Sequence, residues 1–339
     1  MAQGTNRQIT LSSYPQGEPV PANFAAAESA ISEPGAGQML LRNKYLSLDP
    51  YMRGRMSTAR SYAKGFEIGQ VLGGGTVSEV VASNNSNFAP GDIVLAMGGW
   101  QDYSLSSGEG LVRIDVGLAP VTTALGVLGM PGMTAYTGLI NIGNPKPGET
   151  VVVAAAAGPV GATVGQIAKL KGCRAVGIAA GNKLDYLTKE LGFDAALDRR
   201  SPDLKDELRE ACPLGIDVYF ENVGGAVWEA VLPLLNDFAR IPVCGLIAHY
   251  NDTQLPPGPD RMSTLMRMVL TRRLRIQGFI VWDFAPQRDD FLRDVGAWVR
   301  EGKIKYREDI VDGLGKAPEA FIKLLRGENF GKMIVKIAD

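Results

Sequence analysis

The chain has 339 residues, enough for two domains and a sizeable core, with an ordinary 45% hydrophobic and 21% charged content. Its 35 basic and 36 acidic side chains leave a formal net charge of -1, which argues against a nucleic-acid partner or an anionic membrane surface. The basic clusters Arg199-Arg200 and Arg272-Arg273-Leu274-Arg275 are too short to reverse that balance, although each is enough for one phosphate.

Three well-separated cysteines (Cys173, Cys212, Cys244) and a single histidine, His249, supply neither a disulfide framework nor a Cys/His zinc set. A reducing, cytoplasmic setting is expected. Met1 to Thr10 is polar and lacks the apolar core of a signal peptide. Residues 117–145 and 150–168 run uncharged for membrane-spanning length, but Pro120, Pro131, Gly158, Pro159, Gly161 and Gly165 interrupt them. Both read as buried structure with no membrane span.

In chain order, residues 1–126 are rich in Gly, Pro and short β-type runs such as 38–43 and 92–96. They predict a mostly antiparallel, irregular β domain in which Trp100 packs. After Pro147-Gly148-Glu149 strands and helices alternate: a strand at 151–154, a helix at 160–171, a strand at 174–179 and a helix at 183–191. A strand at 216–220, a helix at 226–235 and strands at 239–244 and about 275–281 follow. Such alternation builds a doubly wound parallel sheet, and the expected Rossmann domain spans residues 127–303. The tail, 304–339, ends in a strand at 332–337 that rejoins the first domain and makes it discontinuous.

Ala155-Ala156-Ala157-Gly158-Pro159-Val160-Gly161 lies between a buried-type strand and a helix. A pyrophosphate needs close backbone, amide N–H groups and a helix N-terminus behind it. Gly158 removes a side chain where the phosphate would approach, and Gly161 with Gly165 lets the helix lie close on the sheet. The usual first glycine of this fingerprint is Ala156 here, so the motif rests on its strand–loop–helix context. An NAD-selective site places an acid about 20 residues on. This chain has Gly181 and then Lys183, with no carboxylate before Asp185. That pattern favours NADPH, whose 2′-phosphate a carboxylate would repel. Arg199, after the third strand, is a candidate bidentate clamp. The bland alternative for Lys183 is a solvated residue in a helix's first turn.

Leu46-Ser47-Leu48-Asp49-Pro50-Tyr51-Met52-Arg53-Gly54-Arg55-Met56 resembles the signature of the leukotriene B4 12-hydroxydehydrogenase/prostaglandin reductase family. Plant 2-alkenal reductases and bacterial curcumin-reductase-like enzymes carry it too; all are zinc-independent medium-chain dehydrogenase/reductases. Further resembling segments run in family order at 129–136, 165–169, 219–225, 244–251 and 329–332. Gly98-Gly99-Trp100-Gln101-Asp102-Tyr103 leans towards the curcumin-reductase-like branch. Gly65-Phe66-Glu67 stands where zinc alcohol dehydrogenases have Gly-His-Glu.

The resemblance implies a GroES-like catalytic β domain and an NADP(H) site formed by Gly158, Pro159, Val160, Gly161, Lys183 and Arg199. Asn222, Asn329, Thr134, Cys244, Gly245, Tyr250, Phe279 and Val281 would lie along the nicotinamide half. The family often has tyrosine where Arg199 stands, so the geometry of that phosphate contact differs. Tyr250 and Tyr51 are the implied catalytic residues, and Tyr51, Tyr62 and Tyr250 the implied substrate-binding ones, Tyr62 as part of a lid. Segment 278–281 would border the nicotinamide and pair two subunits into a homodimer.

The implied reaction is hydride delivery from NADPH to the β carbon of an enone or enal without a metal, on a small-molecule substrate of curcumin or prostaglandin type. Tyr250 would donate a hydrogen bond to the carbonyl oxygen or relay a proton through the ribose. NADPH:quinone reduction and a non-catalytic NADPH-binding sensor are the alternatives. His249 reads as a cleft-wall or surface residue, Cys244 as buried and inert, and Met262, Met266 and Met268 as helix or interface packing, not a ligand set. The loop after Met56 and the segment Asp252 to Asp260 would set the size of the pocket.

Overall fold

The computed structural model describes residues 4–254 and 258–338. The chain divides into two compact units, Met1–Gly126 with Glu308–Asp339, and Val127–Arg307. The first unit begins with strands β1 (Thr5–Leu11), β2 (Phe24–Ala30) and β3 (Met39–Ser47), then a short helix, α1 (Tyr51–Arg55). Strands β4 (Thr76–Ser83), β5 (Ile93–Ala96), β6 (Tyr103–Ser106) and β7 (Val112–Arg113) follow.

The second unit comprises α2 (Met130–Thr137), β8 (Thr150–Ala154), α3 (Pro159–Leu170), β9 (Arg174–Ala179), β10 (Ala195–Asp198) and α4 (Leu204–Ala211). It continues with β11 (Ile216–Phe220), α5 (Gly225–Val231), β12 (Leu235–Val243), α6 (Met262–Arg272), β13 (Arg275–Gly278) and α7 (Arg288–Arg300). The return to the first unit is β14 (Glu308–Asp312), α8 (Ala317–Arg326) and β15 (Lys332–Lys336).

In the first unit the sheet runs β14-β15-β3-β4-β5-β7, with β6 also paired to β3. The tail strand β15 pairs antiparallel with β3 (Ile334 opposite Ser47) and parallel with β14. Its core gathers around Trp100, stacked on Phe24 at 5.9 Å and edge-on to Phe321 at 5.9 Å. Aromatic pairs of this kind are worth about 0.5–1.5 kcal/mol beyond the area they bury.

In the second unit the six-stranded sheet has the order β10-β9-β8-β11-β12-β13, parallel throughout. β8 is buried at every residue, as a central parallel strand covered on both faces must be. The order reverses between β8 and β11, and the crevice beyond the carboxyl ends of those strands is where doubly wound folds bind ligands.

Several sequence expectations are corrected. The helix expected at 226–235 ends at Val231, and after a single 3-10 turn β12 begins at Leu235. Pro233 cannot donate to the preceding turn. The helix expected at 183–191 is a 3-10 turn at Gly181–Lys183 followed by a π-helical Tyr186–Glu190. The last strand of the parallel sheet stops at Gly278, and Val281 opens a 3-10 segment. Among the described residues no helix is long and apolar enough to cross a membrane. Within Asp252 to Asp260, residues 255–257 lie outside the described residues.

Candidate functional site

At the centre of the parallel sheet, β8 delivers the chain into the tight loop 155–158. Ala155 takes a positive φ of 51° there. The loop is closed by Ala156 N–H to the Ile178 carbonyl (3.0 Å) and Gly158 N–H to the Ala155 carbonyl (2.9 Å). Gly158 caps α3 in an ordinary extended conformation, and Pro159, which has no N–H to satisfy, takes the first helical position. Gly161 is the steric requirement: a Cβ there would lie 2.5 Å from the Ala155 carbonyl oxygen and 2.8 Å from Ala156 Cα. The first turn of a twelve-residue helix therefore presses on the loop, and its N–H groups and positive dipole end open at the strand-order reversal. Gly165 has a different role from the expected helix-to-sheet approach. A Cβ there would meet the Phe193 ring at 1.9 Å, so this glycine makes the socket for that ring.

The next strand ends beside Gly181, where the space for a Cβ is filled by Asp198 Oδ2 at 2.5 Å. Asp198 Oδ1 accepts from the Arg200 N–H (3.0 Å), and the Arg200 guanidinium lies at 3.6 Å. Sequence reasoning missed this carboxylate, because only the β9–β10 pairing brings the end of the third strand to Gly181. Arg199 N–H is bonded to the Ala179 carbonyl at 2.8 Å, which places that residue at the end of β9. Lys183 is only 8% exposed, so the solvated alternative is overturned. Nearby, burial pushes the Tyr186 phenol up to about 12.

Beyond β11, Asn222 donates from Nδ2 to the Ala154 carbonyl at 2.8 Å and so ties the ends of β11 and β8 together. Glu221 is buried, and its Oε1 accepts from the Tyr219 hydroxyl and the Val223 and Gly224 N–H groups. Burial raises its pKa and those bonds oppose the rise. The segment after β12 is strapped onto this turn. Cys244 and Gly245 N–H donate to the Glu221 carbonyl, Ile247 N–H to Asn222, and Ala248 N–H to Val223.

Tyr250 ends that segment. Its hydroxyl stands 3.1 Å from where a Gly245 Cβ would be, so Gly245 makes room for the phenol. The Cys244 thiol is half-buried, and burial pushes it up to about 12. A raised pKa favours the protonated thiol over the nucleophilic thiolate. His249, expected at a cleft wall or surface, has a side chain 37% exposed; it accepts from the Gly225 N–H at Nε2 (3.2 Å) and bonds Asp252 through Nδ1 (2.8 Å).

Thr134 lies buried in α2 and donates its hydroxyl proton to the Met130 carbonyl (2.7 Å), which leaves its oxygen able to accept. Phe279 turns its ring inward, edge-on to Phe220 at 6.2 Å, in a space that a Gly138 Cβ would invade at 2.4 Å from its Cζ. What it offers a ligand is backbone, not the ring. Val281 is buried at the start of its 3-10 segment. Met262 and Met266 lie on α6 and are 58% and 57% exposed.

In the first unit, Tyr51 opens α1 and packs against the Trp100 core. Burial, and secondarily the Asp49 carboxylate, hold its phenol well above the usual tyrosine range. Asp49 receives the Ser47 hydroxyl and the Lys332 ammonium (2.9 Å), and Lys332 also donates to the Leu48 carbonyl (2.6 Å). Asn329 is buried and donates to the Gly331 carbonyl at 2.7 Å. Tyr62 is 64% exposed, yet it adds a small electrostatic push on the Tyr51 phenol. Among the described residues no three His, Cys, Asp or Glu side chains are grouped to hold a metal ion.

The strand order and the loop at its reversal define a nucleotide-binding α/β protein. Residues 7–114 match the family model described as the N-terminal domain of oxidoreductase, and residues 159–297 the one described as zinc-binding dehydrogenase. The NADPH-dependent curcumin reductase of Escherichia coli strain K12 is 57% identical over 98% of this chain and 97% of that protein. Prostaglandin reductase 1 of Bos taurus is 42% identical over 96% of this chain and 98% of its own length. The crystal structure of CurA from Vibrio vulnificus in complex with NADPH matches with a TM-score of 0.95 at 54% identity, over 98% of this chain and 99% of that one. The chain belongs to the zinc-independent medium-chain dehydrogenase/reductase family.

Proposed function

We propose that this protein is an NADPH-dependent oxidoreductase that reduces the carbon–carbon double bond of α,β-unsaturated ketones and aldehydes. The observation that carries the reading is the Gly161-bearing loop at the strand-order reversal, with the Tyr250 hydroxyl held beyond the same edge of the sheet. The residues fit the cofactor. The space that a Gly161 Cβ would fill belongs to the loop backbone, and the open first turn of α3 is ready for a pyrophosphate. Lys183 and Arg199 suit a 2′-phosphate.

When bound, NADPH supplies the hydride. Asn222, Thr134, Gly245 and the backbone of Phe279 and Val281 orient the nicotinamide half. The Tyr250 hydroxyl holds a proton for the carbonyl oxygen, where negative charge develops as hydride reaches the β carbon. Tyr51 and Tyr62 contact the substrate. Burial raises the Tyr51 phenol's pKa, which favours its proton-bearing, hydrogen-bond-donating form. The two units act as catalytic and cofactor domains.

The assembly is a homodimer. α6 has no buried residue and exposes Met262, Met266 and Leu270 at successive turns, with Leu270 at 76%. The edge strand β13 follows, with no partner strand on its outer side among the described residues and Ile276 exposed, then Trp282 at 68%. An apolar stripe running into a bare strand edge suits a second copy of itself. The free cysteines suit a reducing compartment.

The deciding experiment follows loss of reduced-nicotinamide absorbance with an alkenal, an aryl enone, curcumin and a quinone, using NADPH and NADH in parallel. Mass spectrometry identifies the products. Enone-dependent oxidation to a saturated carbonyl, with NADPH preferred, supports the assignment. Turnover of the quinone alone moves it to quinone reduction, and tight NADPH binding without any turnover moves it to a sensor.

A further inference from the structure

The chain's single histidine is fastened at both ring nitrogens, and the next residue is Tyr250. We propose that His249 is a positioning residue for the reaction: it latches the segment carrying Tyr250 onto the first turn of α5 and so fixes where the Tyr250 hydroxyl stands. The proposal rests on the reading of Tyr250 as the proton-holding group.

Backbone bonds alone strap the segment down as far as Ala248, whose N–H reaches the Val223 carbonyl at 2.9 Å. Past that point the Tyr250 N–H bonds the Ile247 carbonyl of its own turn, at 3.3 Å. At this point the His249 ring reaches outside the segment, to the Gly225 N–H. The cap residue of α5 is Gly224, which has no side chain to satisfy the first-turn N–H groups, and the imidazole does so from across the fold.

Gly225 N–H can only donate, so Nε2 carries the lone pair. The neutral ring therefore bears its proton on Nδ1 and donates it to the Asp252 carboxylate. Gly224 suits the ring twice over. Its φ of 79° is open to glycine, and a Cβ there would lie 2.9 Å from His249 Cδ2. At the other end of the segment, the Tyr250 hydroxyl has little slack over Gly245. A shift of about 1 Å in a reacting group is costly in rate.

The test compares kcat and KM for an enone at saturating NADPH in wild type, His249→Ala, His249→Gln, Tyr250→Phe and the His249→Ala, Tyr250→Phe double variant. His249→Ala is expected to lower kcat by roughly two- to tenfold, the scale of one or two net hydrogen bonds. His249→Gln, which retains an acceptor for Gly225, should recover most of that loss. In the Tyr250→Phe background, removing His249 should cost nothing more. Nitrogen NMR of the lone imidazole should show the neutral ring protonated at Nδ1.

An equal loss in both backgrounds, an unchanged kcat in His249→Ala, or a ring protonated at Nε2 would each overturn the proposal. A Tyr250→Phe enzyme as fast as wild type would remove the reading of Tyr250 and the positioning role with it. That outcome is recognisable because it does not depend on His249.

Discussion

A phenol hydroxyl set close over a glycine is a demanding arrangement, and the role of Tyr250 over Gly245 can be tested directly. Tyr250→Phe keeps the ring and deletes the donor. Turnover of an enone should fall by roughly 10²-fold, the usual effect of losing one hydrogen bond to a developing oxyanion, while the NADPH dissociation constant stays nearly constant. Stopped-flow turnover and fluorescence titration of NADPH separate the two quantities. Lys183→Gln should do the reverse. Removing one charged contact to a phosphate is worth about 1.5–3 kcal/mol, or roughly 10–100-fold. KM for NADPH should rise by that factor and KM for NADH should hardly move. If both rise equally, Lys183 serves the fold and not the 2′-phosphate.

Among the elements, β14 and β15 pair in parallel, with Glu308 opposite Lys332. Glu308 Oε1 is buried without a hydrogen-bond partner, and burial raises the carboxyl's pKa against the opposing hydrogen bond from Thr122 and the weaker pull of the Lys332 ammonium. The folded chain therefore holds this proton to higher pH than the unfolded chain does. The resulting stabilisation is complete below the ordinary glutamate value of 4.5 and is lost as pH rises through the raised one. Glu308→Gln, permanently neutral, should match wild type near pH 4 and melt a few degrees higher near pH 8. Calorimetry at the two pH values decides it; an equal Tm difference at both would mean that packing, not charge, is at stake.

The same elements show what a sequence discloses. β8, α3, β9 and β11 were legible because long apolar runs bounded by glycine announce buried parallel strands and the helices between them. Boundaries near proline were less so: the apolar run 226–235 hides the turn at Pro233 that converts helix into β12. In the site, Gly158 to Gly161 and Tyr250 stood out by pattern and resemblance. Asp198 and the His249 latch did not. Each depends on an approach between segments distant in sequence, Gly181 with the end of β10 and Gly225 with the segment after β12. Gly165 faces the Phe193 ring, a neighbour that nothing in linear order indicates.

For the whole molecule, the α6 stripe and the β13 edge make an expectation about assembly. Leu270→Asp, at a position 76% exposed in the single chain, should cost little in folding and convert the dimer to monomer in sedimentation. A dimer that persists in this variant would place the interface elsewhere.

The order in which the two units can be completed follows from how the chain visits them. The unit Val127–Arg307 is continuous, whereas the unit that opens the chain lacks β14, α8 and β15 until the last segment is made. During synthesis the Rossmann sheet can close while β3 still has a bare edge. Asp49 meanwhile waits in its emerging core for Lys332, 283 residues downstream. The ribosome therefore finishes the middle of this protein before its beginning. A chain stalled ahead of Lys332 would leave a finished nucleotide domain attached to an amino-terminal half with an unanswered buried carboxylate, which chaperones and proteases would recognise as incomplete.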